Sequence, residues 1–342
     1  MGYLRNTWYV AAWSDDIAPG QILARTLLDQ PVALFRRGDG RPAALQDRCP
    51  HRFAPLSAGS HHGDHVACPY HGLGFNGAGL CVINPHGPVP KTAGVRTYPV
   101  HDAHRATWIW MGDADLADPK LIPDLSYLSD APSTAYSAGQ LLSSRGNYLV
   151  FVDNIMDLSH TDFLHPTTLG GGVVTHSRQT VEETPDSIDV AWHSPATKPS
   201  PLLAALIGDL PDHTDVVSRV RWFAPAVMQL QAVTIPGGKS EAEGYRNHTA
   251  HIFTPETQRT SHYFFAATRN YHVEDGELNA RIAAARQNIF ATEDKPMIDL
   301  IDMRMGDADF WSLKPVLLAV DKAPVLMRRR LLQLIEAEQR TQ

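Results

Sequence analysis

Cysteine is scarce in this chain. Three cysteines among 342 residues cannot supply the disulfide framework of a small secreted domain, so a reducing, cytoplasmic setting is expected. No apolar run approaches the roughly 20 residues of a membrane-spanning helix, and the first ten residues, Met1 to Val10, lack the apolar core of a secretory leader. Neither sign of charge is concentrated. The formal net charge of -7 is spread along the chain, and the densest basic run is Arg328-Arg329-Arg330. That triplet sits among apolar residues at helical spacing, which reads as the solvated face of a terminal amphipathic helix and argues against nucleic acid as a partner. No glycine-rich fingerprint for a flavin or a nicotinamide is present either. Redox chemistry in this chain would need electrons from another protein.

Two of the three cysteines stand in a pattern. Cys49-Pro-His51 is followed, after sixteen residues, by Cys68-Pro-Tyr-His71, giving C-x-H-x16-C-x2-H. A Rieske [2Fe-2S] centre takes two thiolates on one iron and two imidazoles on the other, and each short motif offers one of each. Zinc accepts the same four residue types, but zinc fingers group cysteines with cysteines and histidines with histidines. The alternating order therefore favours the cluster, with Cys49, His51, Cys68 and His71 as ligands. Pro50 and Pro69 stiffen the two turns. Arg52, beside a ligand, is placed to offset negative charge. Cys81, the remaining cysteine, reads as a small buried residue.

With 43% hydrophobic residues the chain has enough apolar material for two domains. Residues 1 to about 115 read as short strands broken by Gly and Pro, for example Pro31–Phe35 and Ala106–Met111. Prolines 119, 123 and 132 mark a linker, so the boundary is placed near residue 120, give or take ten, with domains at 1–120 and 121–342. The second part opens with a helix over Asn147–His160 that continues raggedly to His165. Strands over Val217–Phe223, Val227–Val233 and Ser261–Ala266 follow, with two helical stretches at about 275–304 and 321–340. Strands in series followed by helices predict an α+β fold with an antiparallel sheet.

Asp157, His160 and His165 fall within nine residues. On an unbroken helix His160 and His165 would point about 140° apart at 100° per residue, so they meet one ion only where the helix distorts or ends. Pro166 disfavours helix at His165. Two histidines and one carboxylate make the facial triad of a mononuclear non-haem Fe(II) site, with positions left for O2 and substrate. Spacing does not select the carboxylate. Asp275, Glu277, Glu293, Asp294, Asp299 and Asp302 are all candidates, and Pro296, by interrupting the helix, gives Asp294 the best local argument. Asp157 precedes His160 by one turn, where its carboxylate could orient that ring. Asn154, a turn earlier, is a further candidate neighbour of the metal.

Taken together, these motifs resemble the Rieske non-haem iron oxygenases, in particular the oxygenase components of the vanillate O-demethylase and dicamba monooxygenase group. The likeness runs through Arg5–Ala12, Cys49–Leu56, Cys68–Gly72, Asp153–His160 with His165, Thr254-Pro-Glu256, Arg269-Asn270 and Glu293-Asp-Lys295. It implies an all-β Rieske domain followed by a helix-grip catalytic domain. It also implies iron ligation by His160, His165 and Asp294, and a homotrimer in which Asp157 links an iron histidine to a neighbour's cluster histidine. The resemblance further implies an NAD(P)H-dependent reductase or ferredoxin as electron donor, and O2 and a small aromatic acid as substrates, with His251 against the acid group and His248 nearby. Ala285 and Leu230 stand where the dicamba enzyme has a large aromatic residue and an amide, which argues against dicamba itself. The reaction expected is O-demethylation or ring hydroxylation. The rival reading is a Rieske electron-transfer protein whose second domain only docks partners.

Overall fold

The β-prone runs of the first third pair locally. In the computed structural model, which describes residues 2–341, they form three small antiparallel sheets. Trp8–Trp13, Ala106–Trp110 and Val100–Ala103 make the first, with Trp8 opposite Trp110 and their rings edge to face at 5.5 Å. Ile22–Leu27, Gln30–Arg36, Pro42–Gln46 and Thr97–Tyr98 make the second. The third, from Ser60–His62, His65–Ala67, Gly74–Asn76 and Cys81–Ile83, carries the second cysteine motif in the turn between its middle strands. Phe35, Leu45, Leu56, Val66 and Phe75 pack with Cys49 and Cys68 in one apolar cluster. The thiols therefore sit at the base of a hydrophobic core and not on a loop tip.

The chain divides into two units. The first comprises Tyr3–Asp124 and, out of sequence, Thr254–Gln258. The division after Asp124 stands a few residues beyond the expected point. The return of Thr254–Gln258 was not foreseen, and hydrogen bonds explain it: Thr254 Oγ1 donates to the Val10 carbonyl at 2.7 Å, and the amides of Leu28 and Asp29 donate to the carbonyls of Pro255 and Glu256. The Thr-Pro-Glu triplet of the sequence is thus a clasp within the first unit.

The second unit is built on a seven-stranded sheet. Its order in space is Ala135–Arg145, Thr260–Arg269, Tyr245–Thr257, Val227–Pro236, Thr214–Phe223, Ser187–Thr197 and Arg178–Glu183. Apart from the first, the strands follow one another as a meander, the topology that short hairpin connections permit. Trp192, Val220, Trp222, Met228 and Val233 are buried. No helix among the described residues is long and apolar enough to cross a membrane.

Three helical expectations need correction. The helix expected over Asn147–His160 stops at Met156: Asn147 caps it by accepting from the Leu149 amide at 3.0 Å, and Asp157, in extended conformation, breaks it. The stretch expected at 275–304 is two helices, Gly276–Ile289 and Lys295–Met305, joined by one π-helical turn over Phe290–Asp294. The terminal helix, Lys322–Thr341, does not offer its arginine run to solvent. Arg328 is buried, donates from Nε and Nη2 to the Asp153 carboxylate at 2.5 to 3.0 Å, and lies over the Phe310 ring. Only Arg329 of the triplet is exposed, while Arg330 pairs with Glu183. Cys81 is half-buried, not buried, and its thiol donates to the Ile83 carbonyl.

Candidate metal centres

The two cysteine motifs fold into nearly the same turn. In each, the cysteine amide donates to a carbonyl five residues on, Ala54 or Leu73, at 2.8 Å. In each, an amide four residues on, of Phe53 or Gly72, donates back to the cysteine carbonyl at 2.9 or 3.0 Å. That geometry forces the fourth following residue to positive φ: +62° at Phe53 and +73° at Gly72. Glycine accepts it without strain and phenylalanine does not. Gly72 has a further reason, since a Cβ there would lie 2.9 Å from Pro85 Cγ.

The turns bring the four ligand side chains together. Cys49 and Cys68 are buried and unbridged, each within the same cluster, and the rings of His51 and His71 approach to 4.4 Å between centroids. Burial pushes the Cys49 thiol up, as does the adjacent Cys68 sulfur, while the amides of His51 and Arg52 donate to it and favour the thiolate. Desolvation holds His71 below the ordinary imidazole range, as do its neighbours His51, His86 and Arg52, and a neutral ring is the form that ligates. Two adjacent sulfurs with amide donors, plus two adjacent imidazoles, are the donor set of a cluster with unlike ends. Arg52 is exposed, and its charge helps to hold His71 down.

The second centre lies in the other unit. His160 ends a short 3-10 turn, Leu158–His160, and His165 follows a four-residue helix, Thr161–Leu164, in a non-helical conformation. The break at Asp157 and the ending at His165 undo the 140° divergence, so the two rings stand 5.4 Å apart between centroids. Gly170 permits the tight return of the chain, because a Cβ there would meet the Thr161 carbonyl at 2.4 Å. His160, His165 and Asp294 form one group whose ligand atoms all lie within 4.8 Å of one another. Asp294 Oδ1 is 3.0 Å from His165 Nε2 and 3.5 Å from His160 Nε2. Ligands about 2.0–2.2 Å from one ion, at right angles, stand about 3 Å apart. The other nitrogen of each ring is already held: His160 Nδ1 by the Asp157 main-chain carbonyl at 2.7 Å, and His165 Nδ1 by Glu293 at 2.6 Å. Both Nε2 atoms are left facing Asp294, as a metal requires.

Asp294 is buried, and burial opposes its charge. Hydrogen bonds from His160 and His165 overcome that and hold the carboxyl down at about 2. Desolvation lowers His165, and its contacts with Asp294 and Glu293 outweigh that and raise it. A carboxylate that stays ionised in a dry site is ready to ligate. The π turn places it there: one extra residue in the turn rotates Asp294 to the inner face, while Pro296 sits in the first turn of the next helix.

Geometry also disposes of the other carboxylates. Glu277 is exposed in the first turn of the Gly276–Ile289 helix. Asp275 caps the helix by accepting from the Leu278 amide. Asp299 pairs with Lys295, and Asp302 with Arg259 and the Asn147 amide. Glu293 is not a member of the triad but holds its histidine, and Thr168 Oγ1 donates to the same oxygen at 2.7 Å. Asn154 Nδ2 donates to Asp294 at 3.1 Å and stands 3.3 Å from His160 Nε2. The carboxylate of Asp157 does not orient His160, contrary to expectation. It accepts from the Ser159 amide and hydroxyl, both at 2.9 Å, and the main-chain carbonyl does the orienting.

A cavity of about 230 Å³ opens on the triad. Most of its wall is apolar, including Leu158, Val173, Leu202, Leu230, Ile282 and Phe290. Its few polar groups are more informative. His251 lines it, with Nδ1 2.6 Å from the Tyr263 hydroxyl and Nε2 without a partner. Desolvation, with Arg286 nearby, pushes His251 down to about 3, so the ring is neutral and offers an N–H but no charge. His248 takes no part; it stacks on Tyr127 at 3.4 Å between centroids. Ala285 is not in the wall, whereas its neighbour Arg286 is. Arg286 was missed in the sequence. The available signal was helical: Ile282, Arg286, Ile289, Phe290 and Glu293 share one face at spacings of three, four and one, so the arginine interrupts an apolar stripe.

Known proteins agree with this reading. Residues 7–99 match the Rieske [2Fe-2S] domain, and residues 144–337 match the vanillate O-demethylase oxygenase C-terminal domain. The chloroacetanilide N-alkylformylase oxygenase component of Rhizorhabdus wittichii is 39% identical over 99% of this chain and 97% of that one. The dicamba O-demethylase oxygenase component of Stenotrophomonas maltophilia is 35% identical over 99% of each. A crystal structure of dicamba monooxygenase bound to 3,6-dichlorosalicylic acid superposes with a TM-score of 0.94, at 35% identity and 99% coverage of both chains. The rival of a non-catalytic docking domain is therefore set aside. With a Rieske cluster site in its all-β unit and a mononuclear non-haem iron site in its α+β unit, the chain belongs to the Rieske non-haem iron oxygenases, as an oxygenase component of the vanillate and dicamba O-demethylase group.

Proposed function

We propose that this chain oxidises a small aromatic substrate next to a heteroatom and so removes an alkyl group from oxygen or nitrogen. The observation that carries the proposal is the largely apolar cavity lined by the His160, His165, Asp294 triad. At about 230 Å³ it falls just below the usual span of small-molecule pockets, about 300–1,000 Å³, which suits a single ring. When bound, the mononuclear iron supplies O2 activation and the cluster supplies electrons. An aryl methyl ether, O2, two electrons and two protons then give the phenol, formaldehyde and water, because a hydroxylated methyl is a hemiacetal that falls apart. Relatives named for N-alkyl and for O-methyl substrates support dealkylation over ring hydroxylation.

The residues of the chain have separate tasks in this scheme. The apolar wall excludes water and packs the ring. Tyr263 fixes the His251 ring through Nδ1, so that its Nε2 is presented to the substrate; this is the expected contact to an acid group of a vanillate-like compound. Asn154 bridges Asp294 and His160 and keeps the ligand atoms from drifting. Electrons arrive from a separate reductase or ferredoxin that draws on NAD(P)H. In a homotrimer, the half-buried Asp157 carboxylate, with one donor on each oxygen, keeps acceptor capacity for a cluster histidine of a neighbouring copy.

The test is a panel of methoxylated and N-alkylated single-ring aromatics, with a surrogate reductase, scored for oxygen uptake and aldehyde release. Stoichiometric formaldehyde from a methyl ether supports the proposal. Oxygen uptake with ring hydroxylation and no aldehyde would overturn it.

A further inference from the structure

One side of the cavity is covered by a helix too short to stand alone. Pro201–Ile207 has seven residues, well short of the roughly 12–15 that an isolated helix needs in water, so its shape depends on what it touches. Leu202, Leu203 and Leu206 line the cavity, while Pro201, Ala204 and Ala205 are exposed. The helix is a single layer between cavity and solvent. Each end is tied to the rest of the unit by a hydrogen bond. At the far end His272 Nε2 reaches the Ile207 carbonyl at 3.0 Å, and Gly208, at a φ of +88°, turns the chain away. At the near end the Leu202 amide donates to the Thr168 carbonyl at 3.0 Å. Thr168 has a second bond. Its hydroxyl donates to Glu293 Oε2 at 2.7 Å, and the same oxygen stands 2.6 Å from His165 Nδ1, whose other nitrogen faces Asp294. The amides of Thr168 and Gly170 also donate to the His165 carbonyl, at 3.1 and 2.9 Å. A half-buried threonine therefore joins the cover of the cavity to a triad histidine.

We propose that Thr168 is a positioning residue that couples the covering helix to the mononuclear iron site, so that the seating of Pro201–Ile207 over a substrate and the orientation of the His165 ring are set together. The inference rests on reading the cavity as the substrate site of a dealkylating oxygenase. A helix that persists only while its contacts hold is a local two-state element, seated or loosened, and coupling between sites needs such an element. Substrate packed against Leu202, Leu203 and Leu206 buries more apolar surface and favours the seated state. Seating fixes the Thr168 carbonyl, and with it the hydroxyl that shares Glu293 Oε2 with His165. The carboxylate is then held where the ring keeps Nε2 toward Asp294, since a ligating histidine takes its orientation from the partner of its other nitrogen. Coupling is reciprocal, so occupancy of the iron site steadies the helix in turn.

Hydrogen exchange tests this without substrate or turnover, by comparing the holoenzyme with protein from which a chelator has stripped the mononuclear iron while the cluster's absorbance persists. In wild type the Leu202–Gly208 amides are expected to exchange at least about tenfold more slowly with the iron bound. Thr168→Val, which keeps the carbonyl and removes the hydroxyl, should bring that ratio below about threefold, and Thr168→Ser should restore it. Chelator stripping of the iron should follow the same order, faster by about 10- to 100-fold in Thr168→Val and near wild type in Thr168→Ser. Faster stripping alone would follow from any loosening near His165, whereas a merely local role would leave the helix response intact. Equal exchange of the helix in the two wild-type states overturns the proposal even if a variant fails to fold, as does a ratio that Thr168→Val leaves unchanged. Turnover separates this from the wider reading. A helix response without formaldehyde from any methyl ether keeps the coupling and sinks dealkylation, whereas formaldehyde release with an unresponsive helix does the reverse.

Discussion

The cluster turns and the iron triad hold metals by opposite means. Around Cys49 and Cys68 the chain is organised by its own backbone: two amide bonds per turn, a proline after each cysteine and a positive φ four residues on. Every group that shapes a turn lies within six residues of its cysteine. At the triad, main-chain turns set only the two histidines. The carboxylate and its neighbour Glu293 come from about 130 positions away in sequence, and Asn154, six residues before His160, reaches across 140 positions to bond Asp294. Exposure differs as well. His51 is exposed and His71 half-exposed, while His165 and Asp294 are buried beside a largely apolar cavity. An electron-transfer centre gains from ligands near the surface, and an oxygenating centre gains from exclusion of water. The two regions differ in construction as they differ in task.

The largest break in that comparison should come at Asp157, which in the proposed trimer links the two kinds of centre. Asp157→Asn should leave both metals in place, because its main-chain carbonyl still holds His160, yet lower turnover by about 10- to 100-fold or more. Rapid-mixing reduction of the cluster should remain normal in that variant while product formation slows. Equal loss of iron and activity would show instead that the residue only shapes the site.

Next in size is stability behind the iron helix. Arg328→Ala leaves the partly buried Asp153 without its cation, one position before Asn154, and should cost up to about 3 kcal/mol in denaturant unfolding. The cluster unit contributes no residue to that pair, so cluster absorbance should outlast the catalytic unit.

A smaller effect is expected from pH. Burial holds His251 at about 3 and His248 at about 4, below the ordinary value of 6.5. Below pH 6.5 the unfolded chain therefore binds protons that the folded one refuses, and stability falls as pH drops through the window from 6.5 towards 3 or 4. Lowering pH from 7 to 5 should cost about 2 kcal/mol per histidine, read as a falling melting temperature. His248→Phe, which keeps the stack on Tyr127, should flatten that slope, and an unchanged slope would remove His248 from the account.

The smallest difference is internal to the cluster turns. Phe53→Gly relieves a positive φ at an exposed position and should be neutral or stabilising by up to about 1 kcal/mol. Gly72→Ala imposes that strain and a contact with Pro85, and should destabilise by at least about 1 kcal/mol. Thermal melting of the two variants side by side would show opposite signs; the same sign in both would mean that the turns are not equivalent.

How far the sequence could be read follows from the same contrast. The cluster ligands were legible because their geometry is local, so spacing carried it. Two of the three triad ligands were legible: the divergence of His160 and His165 on a helix required a break, and the break lies at Asp157. The carboxylate was legible in part, since Pro296 favoured Asp294, but a π turn at Phe290–Asp294 has no local signature that separates it from Glu293. Arg286 was passed over and Arg328 misjudged for one reason. A charge on an amphipathic helix is read as solvated, and only tertiary structure shows that Arg328 meets Asp153 and that Arg286 faces a cavity. The clasp at Thr254–Gln258 was hidden because a strand of the second unit runs on into the first.

The central claim is that one chain holds two independent iron centres of different kinds, and iron with acid-labile sulfide per chain tests it most directly. Wild type should contain about three irons and two sulfides. Asp294→Ala should keep about two of each with the cluster's colour and lose turnover, while Cys49→Ala should keep about one iron and no sulfide. Two irons in the wild type, with none left in Cys49→Ala, would contradict the account.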